Sequence, residues 1–249
     1  MTAVAWVSGT PVDVSDVDAL EAGLRSGPVS STLPREGTRE GRQLRRWLVQ
    51  VLVAERLIDS AAAARGVSAS SAPPLESIAT DRAALLMLGS VAADLLSRSA
   101  LARAVFAAVT APVEVDPAEV ARFYAANPEG FGVPEVRVVR SADGPVRVLR
   151  KGDVAGPVEE AVFAAEVGDV VGPVRDPSGE HVFEIVEARP GRVRPLAEAA
   201  PDIEARLLAA ARRRAFTAWL DEHMAANVRL APGFEHPGDP GQPDNTHRH

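Results

Sequence analysis

The sequence predicts an α+β protein: a helical region completed by a long C-terminal helix, with a small antiparallel sheet and one short helix between them. Three observations carry this. Apolar residues recur at steps of three and four in four stretches between residues 15 and 126. After Pro134 the spacing changes to alternation, as in VRVVR and VRVLR, which is the signature of strands. Helical spacing returns from Leu196 to Asn227.

Composition narrows the function classes. A chain of 249 residues with 46% apolar and 24% charged side chains is an ordinary globular one. It holds no run of about 18 apolar residues, so no membrane span is expected. No cysteine is present, which excludes disulfides, thiol catalysis and cysteine-ligated metals. The net charge of -7 argues against nucleic-acid partners. Lys151 is the sole lysine, and the abundance of arginine reads as coding bias rather than special chemistry. No P-loop, dinucleotide, nucleophile-elbow or zinc-protease string occurs. The opening MTAVAWVSGTPVDV has neither a basic nor a long apolar leader region, so a cytoplasmic location is expected.

The elements follow in order. VAWV with Ser8-Gly9 reads as a strand and turn. Ser15 with Asp18 predicts the cap of a helix that ends at Gly27-Pro28. A long helix is expected from Thr38 to Arg65, stopped by Gly66. One further helix is expected over Asp81 to Val109, on the stripe Leu85, Leu88, Ala92, Leu95, Ala102, Phe106 and Val109. Asp116 with Pro117 opens another, which Asn127-Pro128 closes. Asp143-Gly144 signals a hairpin between two β-rich runs. Residues 157–166 are a short helix, and two strands flank Pro177-Ser178-Gly179. In the last helix Ile203, Leu207 and Ala210 face one way while Phe216, Trp219, Leu220 and Met224 face another, so the helix should serve two different cores. Trp6, Trp47 and Trp219 are expected in one cluster. The Pro- and Gly-rich residues 229–249 are expected to be an extended tail.

The order of these segments resembles the SurA/PrsA-type chaperones, which join a helical polypeptide-binding domain to a parvulin-type (PpiC-like) peptidyl-prolyl isomerase domain. VAWVSGTPVDVSDVDAL is similar to the family's opening strand and helix. LRRWLVQVLVAERLIDSAAAARGV is similar to its second long helix, and VDPAEVARFYAANPEGFGVPEVRV to the segment entering its parvulin domain. The most specific match is KGDVAGPVEEAVFAAEVGDVVGPVRDPSGEHVFEIVEAR, which follows the parvulin C-terminal half. The resemblance implies a helical chaperone-like domain at 1–132 completed by helix 196–228, and a reduced parvulin-like domain at 133–190. It implies unfolded or extended polypeptide segments as partners, and no cofactor.

The departures bear on activity. The family's first strand carries a histidine, and here Arg140 or Val139 stands about there. A tight turn from Ala142 to Pro145 replaces the helices that follow. The proline-pocket methionine and phenylalanine fall near Val154 and Val158. His181 is the surviving central polar residue and the catalytic candidate. Val154, Val158, Phe163 and Phe183 are the peptide-binding candidates. Rotation about X–Pro crosses a barrier of about 20 kcal/mol, and lowering it needs a walled apolar pocket with preorganised hydrogen-bond partners. The expected function is therefore polypeptide binding with isomerase activity weak or lost. The alternatives are an active prolyl isomerase using His181 and a cytoplasmic adaptor that docks a protein partner through its tail. His236, Asp239, Asp244, His247 and His249 could offer metal ligands, but a flexible His-rich end binds metal loosely and no metal site is expected. Glu119, Glu159, Glu160 and Arg212-Arg213-Arg214 read as capping or solvated residues.

Overall fold

A computed structural model describes residues 2–141, 144–153, 155–239, 241, 242 and 244. In chain order the elements are β1 (Ala3–Val7), β2 (Thr10–Asp13), α1 (Val14–Ser26), α2 (Arg39–Arg65), α3 (Arg82–Leu86), α4 (Ser90–Arg98), α5 (Ala100–Thr110) and α6 (Pro117–Ala126). There follow β3 (Gly132–Val133), β4 (Val136–Ser141), β5 (Val146–Arg150), α7 (Pro157–Ala164), β6 (Val170–Asp176), β7 (Gly179–Arg189), β8 (Arg192–Val193), α8 (Leu196–Asn227) and β9 (Val228–Leu230). The architecture is α+β, with a largely helical N-terminal region and a small antiparallel sheet. The chain divides into two compact units, Met1–Val115 with Arg206–His249, and Asp116–Ala205.

In the first unit, β1 lies between β2 and β9 in an antiparallel sheet. Ser8 and Gly9 both take positive φ, the conformation a two-residue hairpin turn requires. The first helix starts one residue beyond Asp13, not at Ser15, and the Asp13 N–H donates to Asp16 Oδ2 at 3.3 Å. Thr38 caps α2 by accepting from the Gly41 N–H at 3.0 Å, and Gly66 ends it in the left-handed conformation. Leu48, Leu95, Leu96 and Phe216 are fully buried in the core of this unit, each contributing about 1.5–3 kcal/mol by leaving water.

The single helix expected over Asp81 to Val109 is three. Gly89 has φ +81°, and Ser99 leaves helical geometry to cap α5 by accepting from the Ala102 N–H at 3.1 Å. The stripe from Leu88 to Phe106 is buried as expected, because each short helix presents its own apolar side. Trp47 and Trp219 border the core, whereas Trp6 lies beneath the guanidinium of Arg229, 3.7 Å from its ring centre.

The segment expected to be extended beyond Leu230 folds back. The Ala231 N–H donates to Val4 O, Phe234 packs on the core, and Gln242 is buried. Arg39, Arg42 and Arg46, spaced along one side of α2, converge on Asp244. Arg39 donates to its main-chain oxygen, Arg42 holds Oδ1 at 2.5 Å and Arg46 holds Oδ2 at 2.8 Å. An apolar-poor tail is thus held by charge-assisted hydrogen bonds in addition to the packing of Phe234. His236 Nδ1 accepts from the Gly238 N–H, and His247 and His249 lie outside the described residues. Arg213 is not merely solvated, since it donates to the Ile78 carbonyl at 2.8 Å.

The second unit contains a four-stranded antiparallel sheet in the order β5-β4-β7-β6. Its hairpin register runs from Val136 opposite Arg150 to Arg140 opposite Val146; Ala142 and Asp143 of the expected turn lie outside the described residues. Helix α7, with Pro157 in its first turn, packs its Val158 and Val162 into one core with Val139, Val171, Phe183 and Ile185. Strands β3 and β8 form a separate pair. Tyr124 stacks on Phe131 and donates to the Arg194 carbonyl at 2.7 Å. Helix α8 buries Ala199 and Ile203 along its first turns, and Phe216 and Leu220 in the core of the first unit.

Candidate functional site

The candidate site lies where β6 turns into β7. Alternation along β7 puts His181, Phe183 and Ile185 on one side of the strand. The His181 ring lies parallel to that of Phe183, with centroids 5.7 Å apart and 5° between planes. Its Nε2 is 3.0 Å from Asp176 Oδ1 and 3.0 Å from Ser178 Oγ. Asp176 Oδ1 also accepts from the Ser178 N–H at 2.7 Å and from the Ser178 hydroxyl at 2.6 Å. The Ser178 hydroxyl and then His181 hold the Asp176 carboxyl down at about 2. Sequence reading found the turn at Pro177-Ser178-Gly179 but missed Asp176; the legible signal was an Asp two residues ahead of a Ser, which favours an Asx turn.

Three side chains of the types used in serine catalysis thus meet here, but not in the arrangement that chemistry needs. A relay places the acid on one ring nitrogen and the hydroxyl on the other. In this site both partners share Nε2, so the carboxylate cannot orient the ring from behind while Nε2 takes a proton from the hydroxyl. The arrangement closes a hairpin and fixes the imidazole plane. Gly172 on β6 is part of that closure: its φ is +126°, and a Cβ there would lie 2.5 Å from the main-chain oxygen of His181.

The peptide-binding candidates fall in different places. Val158 and Phe183, each 5% exposed, belong to the core of the second unit. Phe163 packs against that core, with the Arg137 guanidinium 5.4 Å and the Lys151 ammonium 5.9 Å from its ring centre. Val154 lies outside the described residues. Of the two positions read as standing where the family has its strand histidine, Val139 is fully buried in the core and Arg140 pairs with Glu184 at 2.8 Å. The sequence did not single out Arg137, which is nearly buried and pairs with Glu135 at 2.7 Å. Glu159 accepts from the Gly152 N–H at 2.8 Å. Among the described residues no group of three or more acidic or histidine side chains is placed to hold a metal ion.

Residues 140–201 match the PPIC-type PPIASE domain, and residues 3–40 match a family of unknown function, DUF7158. Comparison with curated proteins yields no match. Among solved structures, the chain is similar to two chains from work on PEB4 and the periplasmic protein Cj1289, SurA-like chaperones of Campylobacter jejuni. One is 11% identical with a TM-score of 0.44, covering 93% of this chain and 100% of its own. The other is 16% identical with a TM-score of 0.45, covering 92% and 99%. Foldase protein PrsA from Lactococcus lactis is 13% identical with a TM-score of 0.27, covering 93% and 96%. The expectation of a cytoplasmic location is overturned by this company, in which Cj1289 is described as periplasmic. Its premise was the lack of a visible leader region in the opening residues, and such a lack does not fix a compartment. Among the described residues no helix is long and apolar enough to cross a membrane. The helical N-terminal region, the antiparallel sheet with its short helix and the PPIC-type match at 140–201 together show a chain that resembles the SurA/PrsA-type chaperones with a PpiC-type parvulin domain.

Proposed function

We propose that this protein is a chaperone-like module that binds unfolded or extended polypeptide segments, and that its prolyl-isomerase activity is weak or lost. One observation carries the second half. Val158 and Phe183, which a proline pocket would need on its wall, are taken up in the core of the sheet unit. Val139, one of the two positions where the family's strand histidine would stand, is taken up with them. The remaining polar group, His181, has its Nε2 engaged by Asp176 and Ser178. Twisting a prolyl amide requires an apolar seat for the ring and donors aimed at the amide, and these residues supply neither in this arrangement.

The test uses the full chain in two assays. In the first, an unfolded model protein is diluted from denaturant, and slower aggregation at equimolar chaperone is expected. In the second, a proline-limited refolding phase is followed, and its rate should stay at the uncatalysed value of tens to hundreds of seconds. Acceleration that disappears in His181→Ala would establish an active isomerase instead. Unchanged aggregation would remove the polypeptide-binding reading.

A further inference from the structure

The first unit carries a groove of about 450 Å³ between the turn that joins α3 to α4 and the C-terminal half of α8. That volume is in the range of sites that enclose ligands. Met87 and Leu88 form one wall, and Leu220 and Met224 the other. Met87 is 82% exposed and its neighbour Leu86 62%, an apolar lip presented to solvent on a five-residue helix. The chain has three methionines, and two of them line this groove. Unbranched, polarisable thioethers repack around side chains of different shape.

Gln50 of α2 also lines the groove. It is 2% exposed, and its Nε2 finds no hydrogen-bond partner among the described residues. A buried carboxamide left unpaired destabilises the fold, so it calls for an explanation. A glutamine amide carries the same donor and acceptor pair as a peptide group. In an extended segment the N–H and C=O of one residue point to the same side, so the carboxamide can pair with main chain whatever the side chains are. Asp221 brings a carboxylate to the groove and His236 an imidazole, and among the described residues neither lysine nor arginine lines it. An occupant with basic flanks is therefore favoured over an acidic one.

We infer that this groove is a polypeptide-binding site of the helical unit: it takes an extended apolar segment with basic flanks, whose main chain Gln50 reads and whose side chains Met87 and Met224 grip. This rests on the polypeptide-binding reading above and names the surface responsible for it. Replacing Gln50 with methionine keeps the volume and removes an unpaired buried group, so the Gln50→Met protein should fold at least as stably as the wild type. Met87→Ser alters an exposed side chain and should leave folding unchanged.

The experiment uses the full chain and fluorescence anisotropy. The probes are a labelled ten-residue peptide with a leucine and phenylalanine core and arginine ends, its twin with glutamate ends, and a version N-methylated at alternate core residues. The arginine-ended peptide should bind, and the glutamate twin about tenfold more weakly. Gln50→Met should weaken binding of the unmethylated peptide about fivefold and abolish the difference between it and the methylated one. Met87→Ser should weaken binding with its melting temperature unchanged. If both variants bind as the wild type does, the groove is not the site, while polypeptide binding itself stands. Sedimentation that shows the groove closed by a second copy of the chain also overturns the assignment. A wild-type protein that slows client aggregation but binds no peptide overturns the groove alone; one that does neither overturns both.

Discussion

His181 Nε2 and Asp176 Oδ1 lie 3.0 Å apart, across a hairpin whose turn residue Ser178 bonds to both. The imidazole is therefore held by the turn on one side and by the face of Phe183 on the other. Its environment is that of a strand-end anchor.

The pH dependence of this anchor has a definite sign. Asp176 is lowered to about 2 in the folded protein, against about 3.9 in an unfolded chain. A depressed carboxyl stabilises the fold above its unfolded value and loses that contribution as pH falls through the folded one. A carbon-detected NMR titration should place the Asp176 midpoint near 2, with the β6–β7 amide shifts moving in the same window. A midpoint near 4 would show that the hydrogen bonds to Oδ1 do not persist in solution.

The core assignment of Phe183 makes a larger demand. Phe183→Ala should cost about 3–5 kcal/mol in urea unfolding of the second unit, because it leaves a cavity among Val158, Val171 and Ile185. A side chain that instead lined an open peptide pocket would cost far less on truncation and would change ligand affinity.

The clamp on the tail is electrostatic. Hydrogen bonds from Arg42 and Arg46 hold the Asp244 carboxyl well below the usual carboxylate range. Asp244→Asn should speed proteolytic nicking within 231–239 while the melting of the helical core stays as it is. In the wild type the same release should appear only as pH drops below the ordinary carboxylate range. Equal nicking rates in the two proteins would mean that the arginines do not retain the tail.

Ser99 is the point at which the expected continuous helix divides. Its hydroxyl caps α5, so Ser99→Ala should lower stability by about 1 kcal/mol. Denaturant curves that superimpose on those of the wild type would argue that α4 and α5 run together in solution.

Most of the element order was legible because it depends on local rules. Thr38 and Gly66 bound α2, Asp116 with Pro117 opens α6, and alternation marks β4, β5, β6 and β7. The misreadings have local causes too. The stripe through Leu88, Leu95 and Ala102 keeps helical spacing across breaks at Gly89 and Ser99, so periodicity alone could not reveal them. The candidate site was legible in part. His181 was found, but its partners Asp176 and Ser178 were absorbed into a turn signal. Gln50 and Arg46 lie in the middle of a long amphipathic helix, where a polar residue carries no sign of its own that it is buried.

What the sequence determined by itself is the succession of helices and strands and the likeness to a chaperone joined to a parvulin domain. Only the tertiary structure decided that Phe183 and Val158 face inward, that Asp244 returns to Arg39, Arg42 and Arg46, and that Gln50 lines a groove beside Met87 and Met224. Spacing along a chain records which residues share a side of one element. Whether that side meets solvent, core or a distant carboxylate depends on contacts between residues as far apart as Val4 and Ala231, and no local pattern encodes them.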